Sequence, residues 1–302
     1  MPCYSPLLGF KSRLNGGLTF RRHESAGEKM TVACGGCLGC RLDRSREWAA
    51  RIIHESKRHT ENCFITLTYD EDRVPRLWPD GPGTLLKSDF QKFLKKLRKR
   101  VYPEKLRYYM CGEYGEENER PHYHACIFGY DPEDKKVFAE GTDYNVYTSD
   151  FLSDVWGHGF VTVGELTYQS AAYCARYVLK KVTGPLKDDH YLRCDEYGVV
   201  CWLEPEYNTM SRRPGIGRDW YEEYKEDCFP SDELPVPGAG VIKKVPRYYE
   251  EIFKSENPKD HEVVKELRKQ FRQAHADEYS PERLHAKYRV KKAQMKMLRR
   301  EL

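Results

Sequence analysis

The sequence predicts an α+β fold, a central antiparallel sheet with helices on one side, and three observations carry that expectation. Cys63-Phe64-Ile65-Thr66-Leu67-Thr68-Tyr69 is a β-prone run stopped by Asp70-Glu71-Asp72. Tyr108–Glu113 and Pro121–Phe128 are two further runs joined by a short polar stretch at 115–119, as the arms of a hairpin would be. Apolar residues recur at helical spacing in the segments between and after these runs.

Taken in order, Arg41 to His59 reads as a helix, with Leu42, Trp48, Ala49, Ile52 and Ile53 on or near one face. The Cys63–Tyr69 strand follows, and Pro75 to Gly83 is loop. Ser88-Asp89-Phe90-Gln91 has the pattern of a capping box and opens a helix that places Phe90, Phe93, Leu94, Leu97 and Val101 on one side and lysines on the other. After the hairpin come a polar loop from Tyr130 to Asn145, a short helix at Phe151–Trp156, a strand at Phe160–Val163 and a helix at Thr167–Lys181. That order of elements is related to ferredoxin-like topology. Beyond Gly184 the pattern weakens. Tyr191 to Leu203 reads as a hairpin, Pro205 to Pro246 is rich in proline and glycine, and Pro258 to Leu302 is a charged, increasingly basic helical region. Three parts are expected: a Cys-rich element and helix over 1–60, a main domain over 61–185 and a C-terminal region over 186–302.

The 302 residues suffice for a sizeable buried core, and the 51 Lys+Arg against 47 Asp+Glu leave a net charge of only +4, so charge alone names no partner. Its distribution says more. Lys87, Lys92, Lys95, Lys96, Arg98, Lys99, Arg100, Lys105 and Arg107 crowd together, either as a solvated helix face or as a phosphate-binding surface. The 22 tyrosines would suit stacking on unpaired bases. No run is long and apolar enough to span a bilayer, and residues 1–14 lack the apolar core of a signal peptide, so the expectation is an intracellular protein without a membrane partner. Most of the 11 cysteines stand singly in apolar segments, as reduced thiols do. Cys34, Cys37 and Cys40 differ. Their C-x2-C-x2-C spacing lets three thiolates converge, with Cys3 or His23 as a fourth donor to a structural zinc. An iron–sulfur cluster and free thiols are the alternatives.

His122 and His124 flank one residue inside a strand and so share a face. If the two hairpin strands pair, Glu113 faces them and adds an oxygen donor to two nitrogens; the alternative is a solvated sheet face. Two His and one Glu with open positions would suit Mg2+ or Mn2+, which could grip and polarise a phosphodiester. Tyr173 and Tyr177 are four apart on the Thr167–Lys181 helix and share a side of it, beside Arg176, Lys180 and Lys181. Packing is the common reason for such a pair; attack on phosphorus by a phenol is the other.

In combination and order, Phe64–Tyr69, Pro121-His122-Tyr123-His124 and Tyr173-x3-Tyr177-x2-Lys180 resemble the three motifs of HUH endonucleases that initiate rolling-circle replication. Cys34-Gly-Gly-Cys37-x2-Cys40-Arg41, Arg46-x-Trp48 and Cys111-Gly-Glu113-Tyr114-Gly115 are similar to segments of the replication initiators of gokushovirus-type microviruses, over roughly residues 1–185. The resemblance implies that Glu113, His122 and His124 hold the catalytic divalent cation, that Tyr173 and Tyr177 alternate as nucleophiles, and that Lys180 assists. It implies further a 5′-phosphotyrosine intermediate on single-stranded origin DNA in the host bacterial cytoplasm. Tyr123 stands where the family carries an aliphatic residue. With no Gly-x4-Gly-Lys-Ser/Thr phosphate loop in the chain, unwinding would fall to a host helicase and extension to a host polymerase. Two readings compete: a non-catalytic zinc-dependent DNA-binding regulator, and a histidine-dependent nucleotidyl hydrolase that forms no protein–DNA adduct.

Overall fold

The computed structural model describes residues 3–115, 118–141, 144–176, 181–182, 184 and 186–296, and the chain divides into two units, 1–44 with 259–302, and 45–258. In the first, β1 (Leu7–Ser12) lies between β2 (Leu18–Thr19) and β3 (Ser25–Val32) in an antiparallel sheet. The β1–β2 turn uses Gly16 at φ 69°, a left-handed conformation that costs glycine little, with Asn15 accepting from the Gly17 amide at 2.9 Å. Sequence patterning missed this sheet. β3 is exposed along most of its length, so it shows no alternation of buried and exposed residues to detect. Next comes α1 (Leu38–Ser56).

In the second unit the elements are β4 (Asn62–Thr68), α2 (Lys87–Arg100), β5 (Arg107–Tyr114), β6 (Pro121–Phe128), β7 (Lys136–Ala139), β8 (Val146–Thr148), α3 (Asp150–Trp156), β9 (Val161–Glu165) and α4 (Tyr168–Arg176). They are followed by α5 (Lys187–Tyr191), β10 (Leu192–Cys194), β11 (Val200–Trp202), β12 (Tyr207–Met210), α6 (Arg218–Cys228), β13 (Glu233–Val236), β14 (Gly240–Lys243) and α7 (Arg247–Glu256). Two further helices, α8 (Pro258–Ala274) and α9 (Pro281–Lys296), belong to the first unit.

The expected antiparallel sheet is present and has seven strands, in the order β12-β5-β6-β4-β9-β8-β7, with helices on both of its faces and not on one side alone. Odd-numbered positions of β4, β6 and β9, among them Ile65, Leu67, Tyr123, Ile127, Val161 and Val163, meet Phe90, Phe93 and Leu97 of α2 and Leu152 and Trp156 of α3. Each such fully buried side chain contributes roughly 2 kcal/mol. α4 and α1 add cover on the opposite face, where Cys174 lies 3.6 Å from Cys111 and Trp48 packs on Tyr109. α1 is locked to the C-terminal part of the same unit. His54 stacks on Trp220 at 3.4 Å, donates through Nε2 to the Pro235 carbonyl at 2.9 Å and accepts from the Tyr249 hydroxyl at 3.0 Å.

Three local expectations need correction. The 130–145 stretch is not all loop, because Lys136–Ala139 forms edge strand β7; its residues are exposed and lack the alternation that marks a half-buried strand. Ser88 does not cap α2. The helix begins at Lys87 after Leu86, and the Ser88 hydroxyl turns to Asp89 instead. The 205–246 stretch, despite its prolines and glycines, supplies β12, which pairs with β5 along the main sheet.

Candidate active site

Register, more than sequence distance, builds the site. Glu113 of β5 lies opposite His122 of β6, and Cys111 lies opposite His124, so the carboxylate and both imidazoles emerge on one face. Glu113 Oε1 sits 2.9 Å from His122 Nε2 and 3.0 Å from His124 Nε2. The donor atoms of the three residues all lie within 4.8 Å of one another. Glu113 and His124 are buried and His122 is half-buried, so the cluster opens to solvent on the His122 side. Burial alone would push the Glu113 carboxyl up; the hydrogen bonds from the two histidines outweigh it and hold the pKa down to about 2.

The outer nitrogens are tied as well. His122 Nδ1 donates to the Arg120 carbonyl at 3.0 Å, and His124 Nδ1 lies 2.9 Å from Thr66 Oγ1. Such bonds fix the ring orientation and leave each Nε2 aimed at Glu113, the arrangement of metal-binding imidazoles. Two nitrogens and a carboxylate, with the rest of a coordination sphere left to water or substrate, fit a small divalent cation; the donor set alone does not choose between ions.

Tyr173 of α4 stands edge-on to this cluster. Its ring centroid is 5.1 Å from that of His124 at 85°, and Phe64, stacked on His124 at 5.7 Å, also meets Tyr173 edge-on at 6.3 Å. α4 reaches this position by burying Ala171, Cys174 and Ala175, with Cys174 Sγ donating to the His124 carbonyl at 3.6 Å. Tyr177 and Lys180 lie outside the described residues. Tyr123, between the histidines, points into the opposite, helix-covered face and is fully buried. Its hydroxyl accepts from the Leu86 amide at 3.0 Å and lies 2.8 Å from the Tyr69 hydroxyl, which donates to Asp89 at 2.9 Å. A phenol here anchors the start of α2, which an aliphatic residue would not do.

The lysine-rich face of α2 is remote from this cluster, since α2 packs on the face opposite to His122 and His124. Lys92 pairs with Asp89 and Lys87 with Glu204. Thr66 as a partner of His124 was legible only through strand register, which sequence spacing does not give.

The second cluster lies in the first unit. Cys3, Cys34, Cys37 and Cys40 converge with all sulfurs within 4.8 Å of one another, a set that could hold a metal ion. Cys3 Sγ is 3.6 Å from Cys34 Sγ and 3.8 Å from Cys37 Sγ. The Cys34, Tyr4 and Cys37 amides donate to the sulfurs of Cys3, Cys37 and Cys34 at 3.3, 3.3 and 3.2 Å. Partial burial pushes the Cys37 thiol up, but the Cys40 and Tyr4 amides bring it down to about 6. The residue that completes the group is Cys3, not His23.

Residues 62–182 match the family described as replication-associated protein ORF2/G2P. The chain is 34% identical over 269 residues to replication-associated protein VP4 of Bdellovibrio phage phiMH2K, covering 85% of this chain and 79% of that protein. It is 36% identical over 235 residues to replication-associated protein ORF2 of Spiroplasma virus 4, covering 75% and 68%. Replication-associated protein ORF4 of Chlamydia phage 1 is 28% identical over 231 residues, or 74% and 53% of the two chains. No solved structure matches. Among the described residues no helix is long and apolar enough to cross a membrane. With a third of its residues shared across most of both chains, the protein belongs to the family of phage replication-associated proteins.

Proposed function

We propose that the chain initiates rolling-circle replication by nicking and rejoining single-stranded origin DNA, with Tyr173 and Tyr177 as alternating nucleophiles and Lys180 assisting them. One observation carries the reading: Glu113, His122 and His124 converge on one sheet face with the Tyr173 ring packed against His124. A Mg2+ or Mn2+ ion bound by the three would supply Lewis-acid polarisation of the scissile phosphodiester. The chain's own residues do the rest. The sheet holds both imidazoles in one orientation through Thr66 and the Arg120 carbonyl, and α4 delivers the phenol.

In the nicking step the phenol oxygen forms a bond to phosphorus and the bond to the 3′ oxygen breaks. The phenol gives up its proton and the leaving 3′ oxygen gains one, so a 5′-phosphotyrosine and a free 3′ hydroxyl result. A free phenol is only about one part in a thousand ionised at neutral pH, which is why a cation such as Lys180 belongs near it. A host polymerase would extend the 3′ hydroxyl behind a host helicase, in the bacterial cytoplasm. The second tyrosine would then cut the regenerated origin, and the new 3′ hydroxyl would attack the first phosphotyrosine to close a circle.

The cysteine cluster would serve a zinc-dependent DNA-binding regulator equally well, but a regulator leaves Tyr173 beside His124 without a use. The test is a denaturing gel of the protein incubated with divalent metal and a single-stranded origin oligonucleotide. A covalent adduct is expected, kept or slowed in Tyr173→Phe and in Tyr177→Phe and lost in the double variant. An adduct formed by the double variant puts the nucleophile elsewhere.

A further inference from the structure

The sheet face that carries Glu113, His122 and His124 does not end at the histidines. Cross-strand register runs His124↔Thr66, Thr66↔Thr162, Thr162↔Thr148 and Thr148↔Lys136. Directly paired residues share a face, so three threonines and a terminal lysine form one row outward from His124, four strand spacings or about 19 Å long. The neighbouring row runs from His122 through Thr68, whose hydroxyl donates to the Phe160 carbonyl at 2.9 Å.

Val161 and Val163 point into the helix-covered core, so alternation puts Phe160 on the histidine side. Phe160 is 42% exposed and meets Phe138 of β7, itself 60% exposed, at 5.1 Å between ring centroids. β7 is an edge strand of the sheet. Natural proteins cover or charge such edges, and this one leaves a phenyl pair open at the end of a polar track. Lys136, beside them, forms an exposed pair with Asp150 at 2.6 Å.

We infer that Phe138 and Phe160 form a base-stacking platform for unpaired nucleotides flanking the scissile phosphate, which reach the histidine cluster along the threonine row. The occupant is argued from position: Phe160 lies on the histidine side of the sheet, Phe138 meets it from the bulge of the edge strand, and threonine hydroxyls with phenyl faces suit sugar-phosphate and base. Rings accept any base by stacking, so the platform grips single strands with little sequence preference, and a duplex, whose bases are hidden, gains nothing from it. The location rests on the proposed nuclease reading, and the test separates the two.

Fluorescence anisotropy without added divalent metal would follow binding of a roughly 12-nucleotide oligothymidine, of an abasic strand of the same length and of a duplex to the full chain. Phe138→Ala and Phe160→Ala should each weaken oligothymidine binding about tenfold and leave the abasic strand and the duplex unchanged. Phe138→Trp should restore binding and Phe138→Leu should not. Both residues are exposed, and an unchanged melting temperature confirms the fold. Equal binding by the double alanine variant, or an equal loss for abasic strand and oligothymidine, overturns the platform. So does a dimeric unaltered protein that the double variant turns monomeric, since the rings would then meet a second copy. Nicking is scored separately. A chain that nicks but ignores the rings loses this inference alone, and one that discriminates abasic strands but never forms an adduct loses the nuclease reading alone.

Discussion

The two clusters able to hold metal are made in opposite ways. Glu113, His122 and His124 come from two adjacent strands whose register fixes which side chains meet, inside a sheet covered on one face by α2 and α3. Cys3 comes from near the start of the chain and the other three from a glycine-bearing loop and the first turn of α1, held together by amide-to-sulfur bonds. The first set would keep its shape without an ion, because packing and hydrogen bonds already define it. The second has few other reasons to converge. Donor chemistry divides them too: four sulfurs would suit a soft ion in a closed tetrahedral site, while three nitrogen and oxygen donors would suit a harder cation with positions left open.

The largest effect should come from breaking the cysteine set. Cys37→Ser should abolish zinc in metal analysis of the purified protein and unfold the N-terminal element, since a structural zinc supplies on the order of 10 kcal/mol of folding free energy. Bound zinc retained in Cys37→Ser would show that the cluster is not the ligand set. His122→Ala or His124→Ala should do the reverse, costing about a thousandfold or more in nicking while the melting temperature stays near that of the unaltered chain. Full cleavage by either variant in chelator would remove the metal from the mechanism.

Protons sharpen the contrast from another side. Burial lowers His54 to about 4 from its ordinary 6.5, against the raising effect of its bond to Pro235. The unfolded chain therefore binds this proton more readily than the folded one. Stability is fully present above about pH 6.5 and falls as pH drops toward 4, by about 2 kcal/mol between pH 7 and pH 5. Urea titrations at the two pH values measure it, and His54→Phe should flatten the difference. The smallest effect expected is for Thr66→Val, which removes the hydroxyl at His124 Nδ1 and should weaken Mn2+ binding about tenfold in calorimetry with the fold unchanged.

How legible each part was follows from these physical differences. The histidine face could be read because strand alternation is a strict period of two, and Glu113 followed once the two strands were assumed to pair. The cysteine loop was visible by spacing, but the choice of Cys3 over His23 needed coordinates. The N-terminal sheet and β7 escaped because exposed strands carry no hydrophobic period. The lysines of α2 showed a charge run without the side of the sheet on which it stands. β12 was hidden in a proline-rich stretch, since pairing across some hundred residues leaves no local mark.

That last strand bears on how the protein is made. A nascent chain that has emerged only as far as residue 185 already carries Glu113, both histidines and Tyr173, yet β5 still has a bare edge, and α1 lacks Trp220, Pro235 and Tyr249 around His54. Until β12 leaves the ribosome, that edge is a template for pairing with neighbouring chains on a polysome. β12 thus closes an edge that β5 would otherwise leave open.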